Sequence, residues 1–386
     1  MLRLGTETAF EVLAEAKALE AQGRSIVHLE IGEPDFDTPR HIVDAAIQAL
    51  RDGWHHYTPS AGVPELRTTI AEMVSRSHGI PVSPDEVVVT PGAKPIIFFS
   101  LLALIEEGDE VIYPNPGFPI YESMICYAGG KPVPIRLREE LDFRLDVEEL
   151  IRASGPRTKM VILNSPNNPT GSVLTREDLV RLAGAFAGRN VMLLSDEIYR
   201  QILYGGEPLS IASFPGMKEQ TIILDGFSKA YAMTGWRLGY GVMNRGLAEQ
   251  VTKLMTNSNS CTAAFTQKAA VAALKGDQSS VTDMVGTFRN RRDRLVKLLN
   301  AIKGVTCRTP RGAFYVFPNI QGLKRSSSDL AKALLREAGV AVLSGTAFGE
   351  YGEGYLRLSY ATSMENLEEG ARRIRDFVEH GLNGMA

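Results

Sequence analysis

Six short apolar runs, "EVVVT", "DEVIY", "KMVIL", "VMLLS", "TIILD" and "RLGYGV", recur between helical patterns from about residue 40 to about residue 285. Runs of this length suit strands buried on both faces, and their alternation with helices predicts an α/β fold with a mostly parallel, doubly wound sheet. Beyond residue 286 the pattern changes. A charged helical stretch, "FRNRRDRLVKLLNAI", is followed by "GAFYVFPNI", a helix from "SSSDLAKALLREAG", the strands "VAVL" and "YLRLSY", and a closing helix. At the front, Ala9, Val12, Leu13 and Ala16 sit at helical spacing, with Gly23 as a stop and "SIVHLEIGEPDFDTP" as a short strand entering a Gly/Pro loop. At 386 residues the chain is long for one core. The expected division is a large domain over 41–285 and a smaller α+β domain formed by 1–40 plus 286–386.

Charge and composition narrow the function. The net charge of -3 comes from 42 basic and 45 acidic residues with no long single-sign block, so no footprint for nucleic acid or an anionic membrane is expected. The N-terminal "MLRLGTETAFEVLAEAKALEA" carries acids and lacks the apolar region of a signal peptide. The longest apolar run, near "PIIFFSLLALI", is too short to span a bilayer. Cys126, Cys261 and Cys307 lie far apart in no metal-ligand spacing and predict buried thiols in a reducing cytoplasm. Among six histidines only His55 and His56 adjoin, and no H-E-x-x-H occurs, so no metal site is expected. Small-molecule chemistry in the cytoplasm is the resulting expectation.

Ligands of open α/β sheets bind beyond the carboxyl ends of the strands. After "EVVVT", "PGAKP" puts Gly92, Ala93 and Lys94 at a helix N-terminus, a candidate anion site or simply a tight turn. After "DEVIY", the Pro-stiffened "PNPGFPIY" holds Phe118, a ring for stacking or for the core. After "KMVIL", "NSPNNPTG" is dense in turn residues that can present Asn168 rigidly. "VMLLS" runs into "DEIYR", where a buried Asp196 needs a cationic partner unless it caps a helix. Tyr199 would lie one helical turn further on, facing the same side. "TIILD" leads to "GFSKAYAMTGWRLGYG", with Lys229 in a small-residue turn and Arg237 in an otherwise apolar run. An anion site, a ring, hydrogen-bonding Asn and Tyr, a buried acid, a lysine and an arginine together match one cofactor. Pyridoxal 5'-phosphate carries a phosphate, a flat cationic pyridine, a phenolic oxygen and an aldehyde that condenses with lysine.

The chain also resembles the class I aminotransferases, the fold type I pyridoxal-phosphate enzymes of the aspartate and aromatic aminotransferase kind. "SKAYAMTGWRLGYG" looks like their lysine signature. "IGEPDFDTP", "YTPSAGVPELR", "TPGAKP", "PNPGFPIY", "NSPNNPTG", "SDEIYR" and "YLRLSYA" follow in the family's order along almost the whole chain.

The resemblance implies a ping-pong transaminase working through a Lys229 aldimine, with Lys229 as Schiff-base lysine and proton carrier and Asp196 paired with the pyridine nitrogen. Tyr199 and Asn168 would bond the phenolic oxygen and Phe118 would stack on the ring. Arg237, Ser228 and the backbone at Gly92, Ala93 and Lys94 would hold the phosphate. Arg357 would clamp the substrate α-carboxylate in bidentate fashion, with Gly32 giving backbone room and Asn168 beside it. Tyr57, otherwise a turn-flanking core tyrosine, would reach the neighbouring subunit's phosphate, which implies a homodimer. The substrates implied are an L-amino acid and a 2-oxo acid.

The chain departs from the pattern at Gly226, where relatives carry a phosphate-binding serine, at Pro95, which suits a first helical turn, and at Ser344, where a proline is common. A lyase of the same fold, of the carbon-sulfur or aminocyclopropane-carboxylate type, would keep nearly the same cofactor contacts. A transcriptional regulator built on this fold would need an added basic N-terminal domain, and 30 residues precede "IGEPDF". A plain nucleotide-binding protein would need G-x-G-x-x-G after the first strand or a P-loop, and neither occurs.

Overall fold

The structure, a computed structural model, describes residues 4, 5 and 7–381. Residues 1–3 and 382–386, the ends of the expected small domain, and Thr6 lie outside the described residues.

Twelve strands are numbered along the chain: β1 Val27–His28, β2 Val87–Thr90, β3 Glu110–Asn115, β4 Lys131–Arg136, β5 Thr158–Asn164, β6 Met192–Asp196, β7 Thr221–Gly226, β8 Gly239–Val242, β9 Tyr315–Val316, β10 Val340–Ala341, β11 Leu343–Ser344 and β12 Leu356–Ser359. Seven of them form the main sheet in the order β2-β8-β7-β6-β5-β3-β4. All run parallel except β8, which is antiparallel to both β2 and β7.

The uninterrupted apolar runs have a physical cause. In β2, Val87 and Val89 join one buried cluster and Val88 the other. In β7, Ile222 and Leu224 face one layer and Ile223 the opposite one. Successive side chains point to opposite faces, and helices cover both, so every position is apolar.

The remaining strands build two small sheets. One is the antiparallel β11-β12-β9 and the other the parallel pair β1-β10. The N-terminal segment is thereby joined to the C-terminal part of the chain: Val27 pairs with Val340, and Ser359 N donates to Leu29 O at 2.7 Å. A separate apolar cluster, centred on Phe288, Phe314, Tyr360 and Leu367, fills this region.

Two expectations need correction. The charged helix does not begin near 288 but spans Ser279–Asn300, running through the 285/286 position without a linker. Gly286 looks like a break, yet a single glycine costs a helix only about 1 kcal/mol, and buried Val281, Met284, Phe288 and Leu295 hold this one down. Of the three cysteines only Cys307 is buried. Cys126 and Cys261 are half-buried, at the end of one helix and just after another. Among the described residues no helix is long and apolar enough to cross a membrane.

Candidate active site

The carboxyl ends of β5, β6 and β7 point toward the small sheets, and the polar residues expected at strand exits gather there. Asp196 is the last residue of β6 and fully buried. Its Oδ2 accepts from the Tyr121 hydroxyl at 2.5 Å and its Oδ1 from the backbone N-H of Ile198 at 3.2 Å. Burial pushes its pKa up to about 6, against the opposing pull of the Tyr121 hydrogen bond. No helix follows it. Residues 198–201 form a turn, with Ile202 N donating to Tyr199 O, so Tyr199 reaches the site by a turn rather than by helical spacing. Its hydroxyl lies 2.8 Å from that of Tyr315.

Lys229 follows β7 in a turn, and its amine donates to the Gly32 carbonyl oxygen at 2.6 Å. It faces the rings of Tyr199 and Phe314 at 6.0 and 5.8 Å. Burial, then the charge of Arg357, lowers its pKa to about 8.

Arg357 lies on β12, buried between the rings of Tyr315 and Phe348 at 4.4 and 4.8 Å. Its Nη1 donates to Asn168 Oδ1 at 3.2 Å and its Nη2 to the backbone oxygen of Glu30. Its buried Nε has no hydrogen-bond partner among the described residues. Asn168 is held by the end of β5, its N-H donating to Asn164 Oδ1 at 2.9 Å. A Cβ at Gly32 would run into the Tyr315 hydroxyl, so glycine is needed for this close approach.

The turn expected to bind an anion lies where the helix Lys94–Leu104 begins. Ala93 caps it without a side-chain hydrogen bond, and Pro95 occupies the first turn. Gly92 has φ +89°, and a Cβ there would strike the Arg237 guanidinium. Arg237 itself sits in the left-handed region, φ 52°, with Nη1 donating to Thr234 O at 2.8 Å. Gly239 on β8 lets the Gly92–Ala93 turn pack against it, since a Cβ would lie 2.5 Å from Ala93 N. Ser228 is buried nearby on the lysine turn. A Cβ at Gly226 would lie 3.0 Å from Gly239 Cα and 3.2 Å from Leu238 O, a close fit. Phe118 is half-buried, edge-on to Tyr121 with centroids 5.8 Å apart. Lys94 Nζ stands 5.3 Å from its centroid and pairs with Glu7.

Tyr57 stands apart. Its side chain is 89% exposed, in a surface hollow with His55, Thr262 and Phe265, so the core reading of this residue is overturned. Sequence reasoning missed Tyr121, Tyr315 and Gly239. Tyr121 could have been found, since it follows Phe118 by three positions at the start of a helix. Tyr315 and Gly239 carry no local signal.

A partly buried amine, a buried arginine, a buried acid and a glycine-lined helix N-terminus gather here, a set that suits an enzyme handling amino and carboxylate groups with a phosphorylated cofactor. The family described as "Aminotransferase class I and II" matches residues 24–374. The aromatic-amino-acid aminotransferase 2 of Thermococcus litoralis is 42% identical over 364 residues, 93% of each chain. The aspartate aminotransferase of Geobacillus stearothermophilus is 41% identical over 375 residues, 95% of each. The solved aspartate aminotransferase of Thermus thermophilus with maleate superposes with a TM-score of 0.93 at 39% identity, covering 96% of this chain and 97% of that one. This chain belongs to the class I and II aminotransferases. It is a pyridoxal-phosphate-dependent aminotransferase, an enzyme of small amino and 2-oxo acids.

The residues present fit the cofactor. The uncapped helix start with Arg237 against Gly92 suits a phosphate, and Asp196 is a buried acid whose charged form lacks a cation. Lys229 is an amine with a lowered pKa.

Proposed function

We propose that this enzyme moves the amino group of an aspartate-like or aromatic L-amino acid to a 2-oxo acid, with Lys229 as its catalytic base. The observation that carries the reading is Lys229 itself, a partly buried amine pushed down to about 8 by desolvation and by Arg357. That value lies close to the pH at which a general base works best.

When bound, pyridoxal phosphate supplies an aldehyde that takes up the amino group and an electron-withdrawing ring that stabilises charge at the substrate Cα. The chain supplies the rest. Arg357 Nε, buried and unpartnered among the described residues, together with its neighbouring N-H groups, receives the substrate α-carboxylate in bidentate fashion. Asn168, already bonded to Arg357 Nη1, orients that carboxylate and the cofactor's phenolic oxygen. Tyr199 donates to the same oxygen. Lys229 Nζ would take the proton from the substrate Cα. Asp196 would keep the ring nitrogen protonated, and Phe118 would cover the ring. Gly92, Ala93, Lys94, Ser228 and Arg237 would hold the phosphate. Gly32 lets backbone approach the carboxylate.

The choice of donor rests on the relatives' names and on the pairing of a cation with an aromatic ring, Lys94 over Phe118. We further propose a homodimer in which the exposed Tyr57 reaches the other copy's phosphate site. Ile47, Leu50 and Trp54 are exposed close to it in sequence, as an interface would require. The units are assigned as 41–285 and 1–40 plus 286–386, and the expected location is the cytoplasm.

The test is the visible spectrum of the purified protein. A yellow band should bleach on adding a good donor and return with a 2-oxo acid. Lys229→Ala should abolish this cycle and lower turnover by at least about 10³-fold. Normal turnover in that variant would reject the mechanism.

A further inference from the structure

Glu30 is a fully buried acid that the mechanism above does not use. It lies just beyond β1, and its backbone oxygen accepts from Arg357 Nη2. Its Oε1 lies 2.8 Å from His28 Nδ1, and His28 Nε2 lies 3.1 Å from Glu20 Oε1. Its Oε2 is buried and has no hydrogen-bond partner among the described residues. A charge without such support is costly inside a protein and calls for an explanation.

Arg357 provides it. Burial destabilises the Arg357 cation, and Tyr315, Tyr199, Glu7 and, to a smaller extent, the Glu30 carboxylate act against this, with Glu30 brought close by its backbone bond to Nη2. A buried cation with no substrate bound needs such a counter-charge. Once a substrate carboxylate arrives, however, the same cation faces two anions, and Glu30 opposes binding unless its own charge is offset. The group placed to offset it is His28, itself 28% exposed and paired also with Glu20, which meets Lys17. Glu30, then Glu20, hold the His28 proton above its ordinary range despite partial burial.

We propose that Glu30 and His28 are a charge-balancing pair for the substrate-carboxylate site: Glu30 compensates Arg357 in the free enzyme, and a proton on His28 compensates Glu30 when an amino acid or 2-oxo acid binds. The proton comes from solvent, so carboxylate binding and His28 protonation favour one another reciprocally. Below the His28 pKa the pair is neutral and the carboxylate enters readily. Above it the pair carries a net negative charge and binding weakens. This inference rests on Arg357 being the carboxylate site. Both residues position charge and neither touches the reacting atoms.

The test uses the holoenzyme and the 2-oxo acid it turns over fastest, with KM and kcat followed from pH 6 to 9. In the wild type KM should rise about fivefold across this range through the His28 step. Glu30→Gln should give a lower KM than wild type at pH 9 and flatten the profile. His28→Gln should give a KM at pH 6 close to the wild-type value at pH 9. These opposite directions separate charge balance from structural damage, which would raise KM or lower kcat in both variants. A Glu30→Gln variant with weaker carboxylate binding at every pH, or a His28→Gln variant that keeps the wild-type KM profile, overturns the proposal. If Arg357→Lys leaves KM unchanged, the carboxylate assignment itself fails, an outcome distinct from either of these.

Discussion

Asp196 and Glu197 are neighbours at the end of β6, both fully buried, and the protein surrounds them in opposite ways. Glu197 points away from the site into a complete set of partners. Its Oε1 accepts from Ser195 and Ser210 at 2.9 and 2.5 Å, while its Oε2 meets His78 at 2.9 Å and Arg200 at 3.4 Å. Burial alone would raise its pKa, but His78, with Arg200 and Ser210, brings it below the ordinary value. Asp196 has one hydroxyl and one backbone N-H, and burial wins. The carboxylate left short of a cation is therefore the one facing Lys229 and its surroundings. A complete set of partners marks structure, and an incomplete set marks a place for a ligand.

The largest expected effect comes from removing the charge on the incomplete side. Asp196→Asn should lower kcat/KM by about 10³-fold, near 4 kcal/mol of transition-state stabilisation. It should also affect the cofactor-stripped protein in the opposite sense. The folded pKa of about 6 lies above the model-compound value of 3.8, so folding disfavours the charged form. The penalty is absent below the lower value and complete above the higher one. Above pH 6 stripped Asp196→Asn should be more stable than stripped wild type, by up to about 3 kcal/mol in urea unfolding. Glu197→Gln comes next, with stability as its readout. Breaking a buried, partnered charge costs about 3 kcal/mol, while kcat of the folded fraction should change only a few-fold. If Glu197→Gln lost as much kcat as Asp196→Asn, the distinction between the two acids would fail.

The same contrast governs what could be read from the chain. The main sheet is legible because strands buried on both faces are apolar at every position, as in "EVVVT". The acids and the lysine are legible because a polar residue directly after such a run stands out. What depends on a distant segment is hidden. Arg357 sits within "LRLSY" with only the resemblance to single it out, and it meets Glu30 across 327 positions. Tyr315 lies inside "GAFYVF", where a hydroxyl is lost among core residues until the fold brings Tyr199 and Gly32 to it. Gly239 is meaningful only once antiparallel β8 passes beneath the helix start. Tyr199 reads as helical from its spacing to Asp196 yet lies on a turn, because a turn and a helix can both deliver a residue three positions on.

Tyr121 sharpens the comparison at the smallest scale, since it supplies the only side-chain hydrogen bond to Asp196 among the described residues. Its hydroxyl favours the charged carboxylate, opposing burial. Tyr121→Phe should therefore raise the Asp196 pKa further and move the pH-dependent loss of stability in the stripped protein upward from about 6. A hydrogen bond to a charged group contributes about 1.5 kcal/mol, so cofactor retention should weaken roughly tenfold. The ring would still pack edge-on to Phe118, which leaves the shape of the pocket intact. A Tyr121→Phe protein with unchanged cofactor affinity and an unmoved stability midpoint would mean that Asp196 draws its support from the bound cofactor alone. In that case the incomplete shell around Asp196 would be emptier still, and the contrast with Glu197 larger.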